Sequence, residues 1–258
     1  MPALSWRAVI LAAGRGADDP MAKAFGVEHK CTIAVGGKPM LARVVAALEG
    51  TVIKKPYVVS IDDAAAMQKA LGRKSSAVSL QAGSSAPASA KQAIEHIGSY
   101  PVLITTGDHA LLTPAMVDHL MQEAEHSGAD VLAGLATFEV ISTAYPETRR
   151  TYFNLGGTRV SGCNLFAVMS QKGLRLLDVW QDLEQNRKKP WKLVAAFGLR
   201  PLVYFATGRL TPQRAFGLIS DKLGMKVAPI FMPFAEAAID VDKPSDHTLA
   251  EKIIAARG

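Results

Sequence analysis

Short apolar runs alternate with stretches of helical spacing from the start of the chain. AVILAA (Ala8 to Ala13), PYVVSI (Pro56 to Ile61), AVSLQ (Ala77 to Gln81) and PVLITT (Pro101 to Thr106) read as strands buried on both faces. Between them, Met40, Leu41, Val44, Val45 and Leu48 fall on one side of a helix running over 39–48. Thr113-Pro114 supplies an N-cap and a first-turn proline for a second helix that reaches about Glu125. This β-α-β alternation predicts a parallel sheet with helices on both faces. The second half is less regular. VLAGLATFEV (Val131 to Val140) and RVSGCNLFAV (Arg159 to Val168) are strand-like, 171–223 reads as a helix-rich insertion, and a strand near 226–231 and a helix over 244–256 close the chain. No repeat and no long Ser/Gly/Pro linker marks a boundary, so one domain over 1–258 is expected.

Composition narrows this picture only slightly. With 258 residues, 49% hydrophobic and 20% charged, the chain can bury a sizeable core and carries no low-complexity tract, so it should fold throughout. The short apolar run near the N-terminus leads into a glycine-rich loop rather than a cleavage site, which reads against secretion and for a cytoplasmic protein. Cys31 and Cys163 have neither disulfide-framework numbers nor metal-ligand spacing and read as reduced packing residues. A net charge of +6 suits nucleic acid, an anionic membrane or a phosphorylated substrate. No zinc-finger spacing, aromatic platform or recognition-helix pattern accompanies it, so nucleic acid is not an expected partner. The apolar and basic stretch over 190–210 is too interrupted to span a bilayer; membrane contact is one reading, a core helix pair or a homodimer contact the commoner one.

The chemistry begins at LAAGRG, Leu11 to Gly16, which follows the first strand at the end where open α/β sheets bind ligands. Glycines there let the backbone approach phosphate, and Arg15 offers a charge to a polyphosphate. A purely structural turn is the plain alternative. The string is neither a Walker loop nor the dinucleotide fingerprint. It is followed by HKCTIAVGGKPML, His29 to Leu41. In this order the two segments resemble the opening of the nucleotidyltransferases that include molybdenum cofactor guanylyltransferase, the sugar-phosphate and polyol-phosphate cytidylyltransferases and phospholactate guanylyltransferase. That opening is LAAG-x-G…PK-x-L…GKP-[LM], matched here by Leu11 to Gly16, Lys30 and Gly37-Lys38-Pro39-Met40. Two departures stand out: the loop between Gly16 and Lys30 is longer than typical, and His29 stands where proline is usual. Lys23 is a rival for Lys30, whose distance to GGKPM fits the pattern better.

The resemblance implies an α/β, three-layer Rossmann-like fold of the nucleotide-diphospho-sugar transferase type, with a mostly parallel sheet. It also implies transfer of a nucleoside monophosphate from a nucleoside triphosphate to a phosphorylated small-molecule acceptor, with pyrophosphate released and Mg2+ as cofactor. On it, Leu11, Ala12, Ala13, Gly14 and Gly16 line the nucleotide, and Arg15 and Lys30 are the catalytic cations. TTGDHALLTP (Thr105 to Pro114) resembles GD-x-PLL with Ala110 for proline, which assigns Gly107 to the nucleotide and Asp108 to the metal; His109 is a neighbour. AIDVDKPSDHTLAE (Ala238 to Glu251) resembles VDTPEDL and makes Asp242 the second metal carboxylate, with Asp240 on the same strand face if the segment is extended. QAGSSAPASAKQAI (Gln81 to Ile94) resembles the base-recognition loop, with Gly83 and Ser89 in register. Ala86 stands near the place of the cytidylyltransferase arginine, so the donor base stays open. In TYFNLGGTRVSGCNLFAV (Thr151 to Val168), Gly162 and Asn164 fall where related enzymes face the acceptor, and Arg159 is assigned with them; Arg149 and Arg150 are further cations able to pair with phosphate.

Each of these has a plainer reading: a turn aspartate for Asp108, a helix cap for Asp242, loop and cap serines at 84, 85 and 89, solvated surface arginines. Two rival functions also fit parts of the pattern. Asp240-Val241-Asp242 has the form of a glycosyltransferase Asp-x-Asp motif, though at the far end of the chain. A non-catalytic nucleotide-binding module would not need Arg15, Lys30, Asp108 and Asp242 together.

Overall fold

A computed structural model describes residues 4–14, 18–185, 203–204 and 207–257. Strand β1 (Arg7–Leu11) runs through the middle of the sheet, with Ala8, Val9 and Ile10 fully buried. Strands β4 (Tyr57–Ile61) and β6 (Val102–Thr106) flank it in parallel, and β5 (Ala77–Gln81) lies parallel outside β4. All-apolar strands can sit there because helices cover both faces. Alternation sorts the side chains: Val9, Val58 and Ile104 face helices α4 (Ala86–Ile97) and α7 (Leu174–Gln185). Ala8, Ile10, Tyr57 and Val59 face α2 (Met40–Glu49), α3 (Ala64–Leu71) and α5 (Pro114–Ser127). Asp63, Ser85 and Thr113 cap α3, α4 and α5 by accepting from first-turn amides.

The other half of the sheet is mixed. Strand β9 (Thr158–Val168) runs antiparallel to β6 on one side and to β7 (Val131–Thr137) on the other, and β10 (Val227–Phe231) pairs in parallel with β7. The full order among the described residues is β10-β7-β9-β6-β1-β4-β5, with β8 (Phe153–Leu155) attached to β9. The strand-like run over 131–140 ends early, because Thr137 accepts from Val140 N and starts helix α6 (Phe138–Ala144). Of the expected insertion, α7 packs against α4, and α8 (Pro212–Leu223) packs against β10. Residues 186–202, and with them most of the apolar basic stretch over 190–210, lie outside the described residues. Among the described residues no helix is long and apolar enough to cross a membrane.

A smaller apolar cluster draws distant segments together at the carboxyl end of the strands. It joins Met21 of α1 (Pro20–Ala24), Val35 of β2 (Ala34–Val35), Met40, Leu111, Val241 and Ile253 of the last helix, α9 (Pro244–Arg257). The GGKP motif is the tight hairpin of β2 with β3 (Lys38–Pro39): Gly36 and Gly37 turn it at φ 55° and 72°, a conformation that disfavours any side chain. A Cβ on Gly36 would also collide with Arg43 and Ile254, so the hairpin seats directly on α2 and α9. Gly36 N donates to Glu251 Oε1 at 2.9 Å and fastens the same joint.

Candidate active site

The ends of β1 and β6 lie side by side, Leu11 opposite Thr106, and both chains turn outward there. Gly107 N donates to Leu11 O at 2.8 Å, and a Cβ on Gly107 would sit only 2.9 Å from Ala12 Cβ. The close approach of the two turns therefore needs glycine at 107. Asp108, next in line, accepts from Thr106 Oγ1 through Oδ1 at 2.6 Å, which aims Oδ2 over the loop after β1. The C-terminal segment reaches this point through a backbone bond, Val241 N to Asp108 O at 3.2 Å. That bond delivers Asp242, 134 residues on in sequence, to the same place.

Lys30 lies between the two carboxylates, its ammonium 2.6 Å from Asp108 Oδ2 and 2.6 Å from Asp242 Oδ1. Burial would release the proton, but the two charges outweigh it and raise the Lys30 pKa well above the usual lysine range. Lys23 goes elsewhere: it is exposed and pairs with exposed Asp18. Leu11, Ala12, Ala13, Lys30, Asp108 and Asp242 line a cavity of about 180 Å3. Arg15 and Gly16 lie outside the described residues. Two carboxylates with a cation held between them offer hard oxygen donors, a set that fits Mg2+ when phosphate oxygens and water complete the shell. Among the described residues no group of three or more His, Cys, Asp or Glu could hold a metal ion. At the start of α9, Asp246 Oδ2 accepts from the amides of Asp242 and Lys243, both at 3.2 Å.

A second cavity of about 240 Å3 adjoins the first across Leu11, Ala13 and Asp108. Its far wall is Ala86, Ile104, Asn164, Phe166 and Trp180, with the two aromatic rings 5.2 Å apart. Asn164 sits in a bulge of β9, where the pairing with β7 shifts between Ala133 and Leu135, and has φ 48°, rare for a residue with a side chain. Asp240 fixes it: Asn164 Nδ2 donates to Asp240 Oδ2 at 3.1 Å, while Arg150 Nη1 and Nη2 reach Asp240 Oδ1 at 2.8 Å and its carbonyl at 3.2 Å. Burial, then the neighbouring charges of Asp242 and Asp108, push the Asp240 carboxyl above its usual range, and Arg150 opposes them. Gly162 is exposed, with open space where a Cβ would stand. Arg159 stacks its guanidinium 3.2 Å over the Phe138 ring, so Arg150 is the arginine joined to the site's carboxylates.

The loop between β5 and α4 is closed by Gly83 N donating to the buried Ser89 Oγ at 2.9 Å, with room for no Cβ at 83 short of 3.0 Å from Ser89 N. These two residues shape the turn that brings Ala86 to the second cavity. His109 is buried beneath Asp108; burial drives its pKa down to about 4 against the pull of the Asp108 charge, so it is a neutral core imidazole. Both cysteines are free and buried, and burial, then the charges of Asp63 and Asp62, push the Cys31 thiol up to about 12. Sequence reasoning overlooked Asp62, the first residue after β4, which accepts from Gly14 N at 2.8 Å and faces His29. The rule that points to Asp108, a carboxylate at the carboxyl end of a buried strand, points to Asp62 as well.

A loop closed by glycines over a lysine clamped by two carboxylates, at the carboxyl end of a largely parallel sheet, defines a phosphate-handling α/β enzyme. Residues 8–151, more than half of the chain, match the MobA-like NTP transferase domain, and the chain belongs to that family of nucleotidyltransferases. Among solved structures, a hypothetical transferase from Thermus thermophilus superposes with TM-score 0.79 at 25% identity, over 95% of this chain and 100% of that one. CMP:2-keto-3-deoxy-manno-octonic acid synthetase complexed with CTP follows the same fold with TM-score 0.63 at 14% identity, over 99% of this chain and 100% of that one. So does 2-C-methyl-D-erythritol 4-phosphate cytidylyltransferase, also from Thermus thermophilus, with TM-score 0.56 at 17% identity and coverage of 99% and 100%. No curated protein sequence matches the chain.

Proposed function

We propose that this nucleotidyltransferase moves a nucleoside monophosphate from a nucleoside triphosphate to a phosphorylated small-molecule acceptor. An acceptor phosphate oxygen attacks the α-phosphorus, the bond from that phosphorus to its β-bridging oxygen breaks, and pyrophosphate leaves with the bond's electron pair. No protein nucleophile is needed. The observation that carries this reading is the Lys30 ammonium held 2.6 Å from both Asp108 and Asp242: a cation position at the mouth of a phosphate loop. Asp108 and Asp242 are the residues that would hold Mg2+, which when bound neutralises charge on the phosphates. Lys30 offers its charge to the triphosphate, and Arg15 is assigned to the same task from its place in the LAAGRG motif. Leu11, Ala12, Ala13, Gly14 and Gly107 are assigned to the nucleotide, Gly16 with them from its position in the sequence motif, and Gly83 and Ser89 are assigned to it from the loop they close. Asn164, with Gly162 and Arg159 on the same strand, is assigned to the acceptor; the second cavity, opening beside Asp108, supports that for Asn164. The synthetase solved with CTP shares this fold, which supports a nucleoside triphosphate as donor. A cytoplasmic location supplies both triphosphate and Mg2+.

The test is pyrophosphate release from each of the four ribonucleoside triphosphates with Mg2+, against a panel of phosphorylated sugars, polyols and lipid precursors. Acceptor-dependent release, abolished in Asp108→Ala, is the expected result and names both substrates. Triphosphate binding without release from any pair would favour the non-catalytic nucleotide-binding module instead.

A further inference from the structure

The loop after β1 and the turn that carries Lys30 are held together by two side chains outside the assignments above. His29 opens the 3-10 turn Lys30–Thr32, and its Nδ1 accepts from Cys31 N at 3.1 Å. An acceptor at Nδ1 leaves the proton on Nε2, which faces Asp62 Oδ1 at 3.1 Å. The same Oδ1 accepts from Gly14 N at 2.8 Å. Burial would raise the Asp62 carboxyl, but the Gly14 and His29 bonds prevail and hold it below the ordinary range. The imidazole is 5% exposed and fills the space beside Gly14, where a Cβ would come within 3.0 Å of Nε2. One chain of contacts thus runs from Gly14 through Asp62 and His29 to the Cys31 amide, next to Lys30. Proline, usual at position 29 in the pattern this chain resembles, could make neither side-chain bond.

We propose that His29 and Asp62 are positioning residues that lock the phosphate loop and the Lys30 turn into one register, so that a polyphosphate meets both already set. The proposal rests on the reading that the first cavity receives the triphosphate. Its physical basis is preorganisation: a loop and a lysine fixed before binding lose less freedom on binding. Because Asp62 acts as an acceptor rather than as a charge, an amide oxygen at 62 should serve nearly as well.

The experiment has two arms on the full-length protein, each variant first checked for an unchanged thermal melt. In the first, inorganic tripolyphosphate with Mg2+ is titrated calorimetrically into the wild type, Asp62→Ala, Asp62→Asn and His29→Gln. Asp62→Ala should weaken binding about tenfold, as expected for losing the acceptor that Gly14 and His29 share, while Asp62→Asn stays within about twofold. His29→Gln, which keeps a donor toward Asp62 but not the Nδ1 acceptor, should fall between them. Equal binding by the alanine variant, or equal loss in the asparagine variant, overturns the proposal. In the second arm, NMR hydrogen exchange follows the Gly14 and Cys31 amides. Asp62→Ala should speed exchange at both, although the Cys31 amide donates to His29 and not to Asp62; a change at Gly14 alone overturns the register lock whatever the ligand. Absence of tripolyphosphate binding by the wild type would instead strike the reading of the cavity, and the exchange arm would still decide the proposal.

Discussion

The two cavities on either side of Asp108 are built by opposite means. The first is walled by charge: Lys30, Asp108 and Asp242, over a floor of alanine and glycine. The second is walled by Ile104, Phe166 and Trp180, with Thr105, Thr106 and Asn164 as polar residues away from the shared edge. Charge at the first suits a polyphosphate whose negative charge must be neutralised wherever the acceptor comes from. The aromatic wall at the second fixes shape, which is where enzymes sharing one fold diverge in acceptor. On the proposed reading donor and acceptor binding can be damaged separately, because among the described residues the two walls share only Leu11, Ala13 and Asp108.

The largest separation should come from Lys30→Ala, which removes the cation from the charged wall. It should lower kcat about 10²- to 10³-fold, as losing one preorganised charge-stabilising donor does elsewhere, while Lys23→Ala leaves steady-state rates unchanged. Equal losses in the two variants would undo the assignment of Lys30. Next, Gly107→Ala forces a Cβ to 2.9 Å from Ala12, which lies between the shared Leu11 and Ala13 and beside the shared Asp108's turn. It should cost about 1–3 kcal/mol in denaturant melts and raise KM for both substrates together. A rise in one KM alone would mean that the cavities are less joined than their common lining implies.

Asn164→Gly should act on the second cavity only. Glycine accepts φ 48° freely, so the backbone gain of about 1 kcal/mol offsets the lost bond to Asp240 and the melting temperature should barely move. Acceptor KM should rise about tenfold with the triphosphate KM unchanged, the size of one lost polar contact. The smallest effect is a pH dependence at the edge of the charged wall. The folded-state pKa of Asp62 is depressed, so its bonds stabilise the protein fully above the ordinary value of about 3.9 and that contribution is lost as pH falls through the depressed one. Asp62 is 36% exposed, so Asp62→Asn should flatten the acid limb of the stability curve by less than about 1 kcal/mol, measured by urea melts between acid and neutral pH.

Much of the charged wall was legible in the sequence because its residues lie in short contiguous motifs. LAAGRG, GGKPM and TTGDH each carry a backbone requirement, and glycine at 107 is demanded by a close approach that any reader of turns would suspect. The strands behind them were equally plain, since runs buried on both faces admit few polar residues. The aromatic wall was not legible. Ala86, Asn164, Phe166 and Trp180 come from α4, β9 and α7, and each has an ordinary local role in its own element. Arg150 was visible only as one of several arginines; its bond to Asp240 depends on the chain crossing to a segment 90 residues away.

By itself, then, the sequence determined the alternation of elements, the turn after the first strand and the residue types of the charged wall, because these follow from local periodicity and from backbone sterics at particular glycines. Only the tertiary structure decided that Lys30 rather than Lys23 meets the carboxylates, that Asp62 and His29 tie its turn to the loop, and that Arg159 stacks on Phe138 while Arg150 takes Asp240. The reason is physical: a long side chain's partner is set by which segments the core brings within hydrogen-bond reach. Here the apolar cluster around Val35, Met40 and Val241 decides that by drawing the two ends of the chain together.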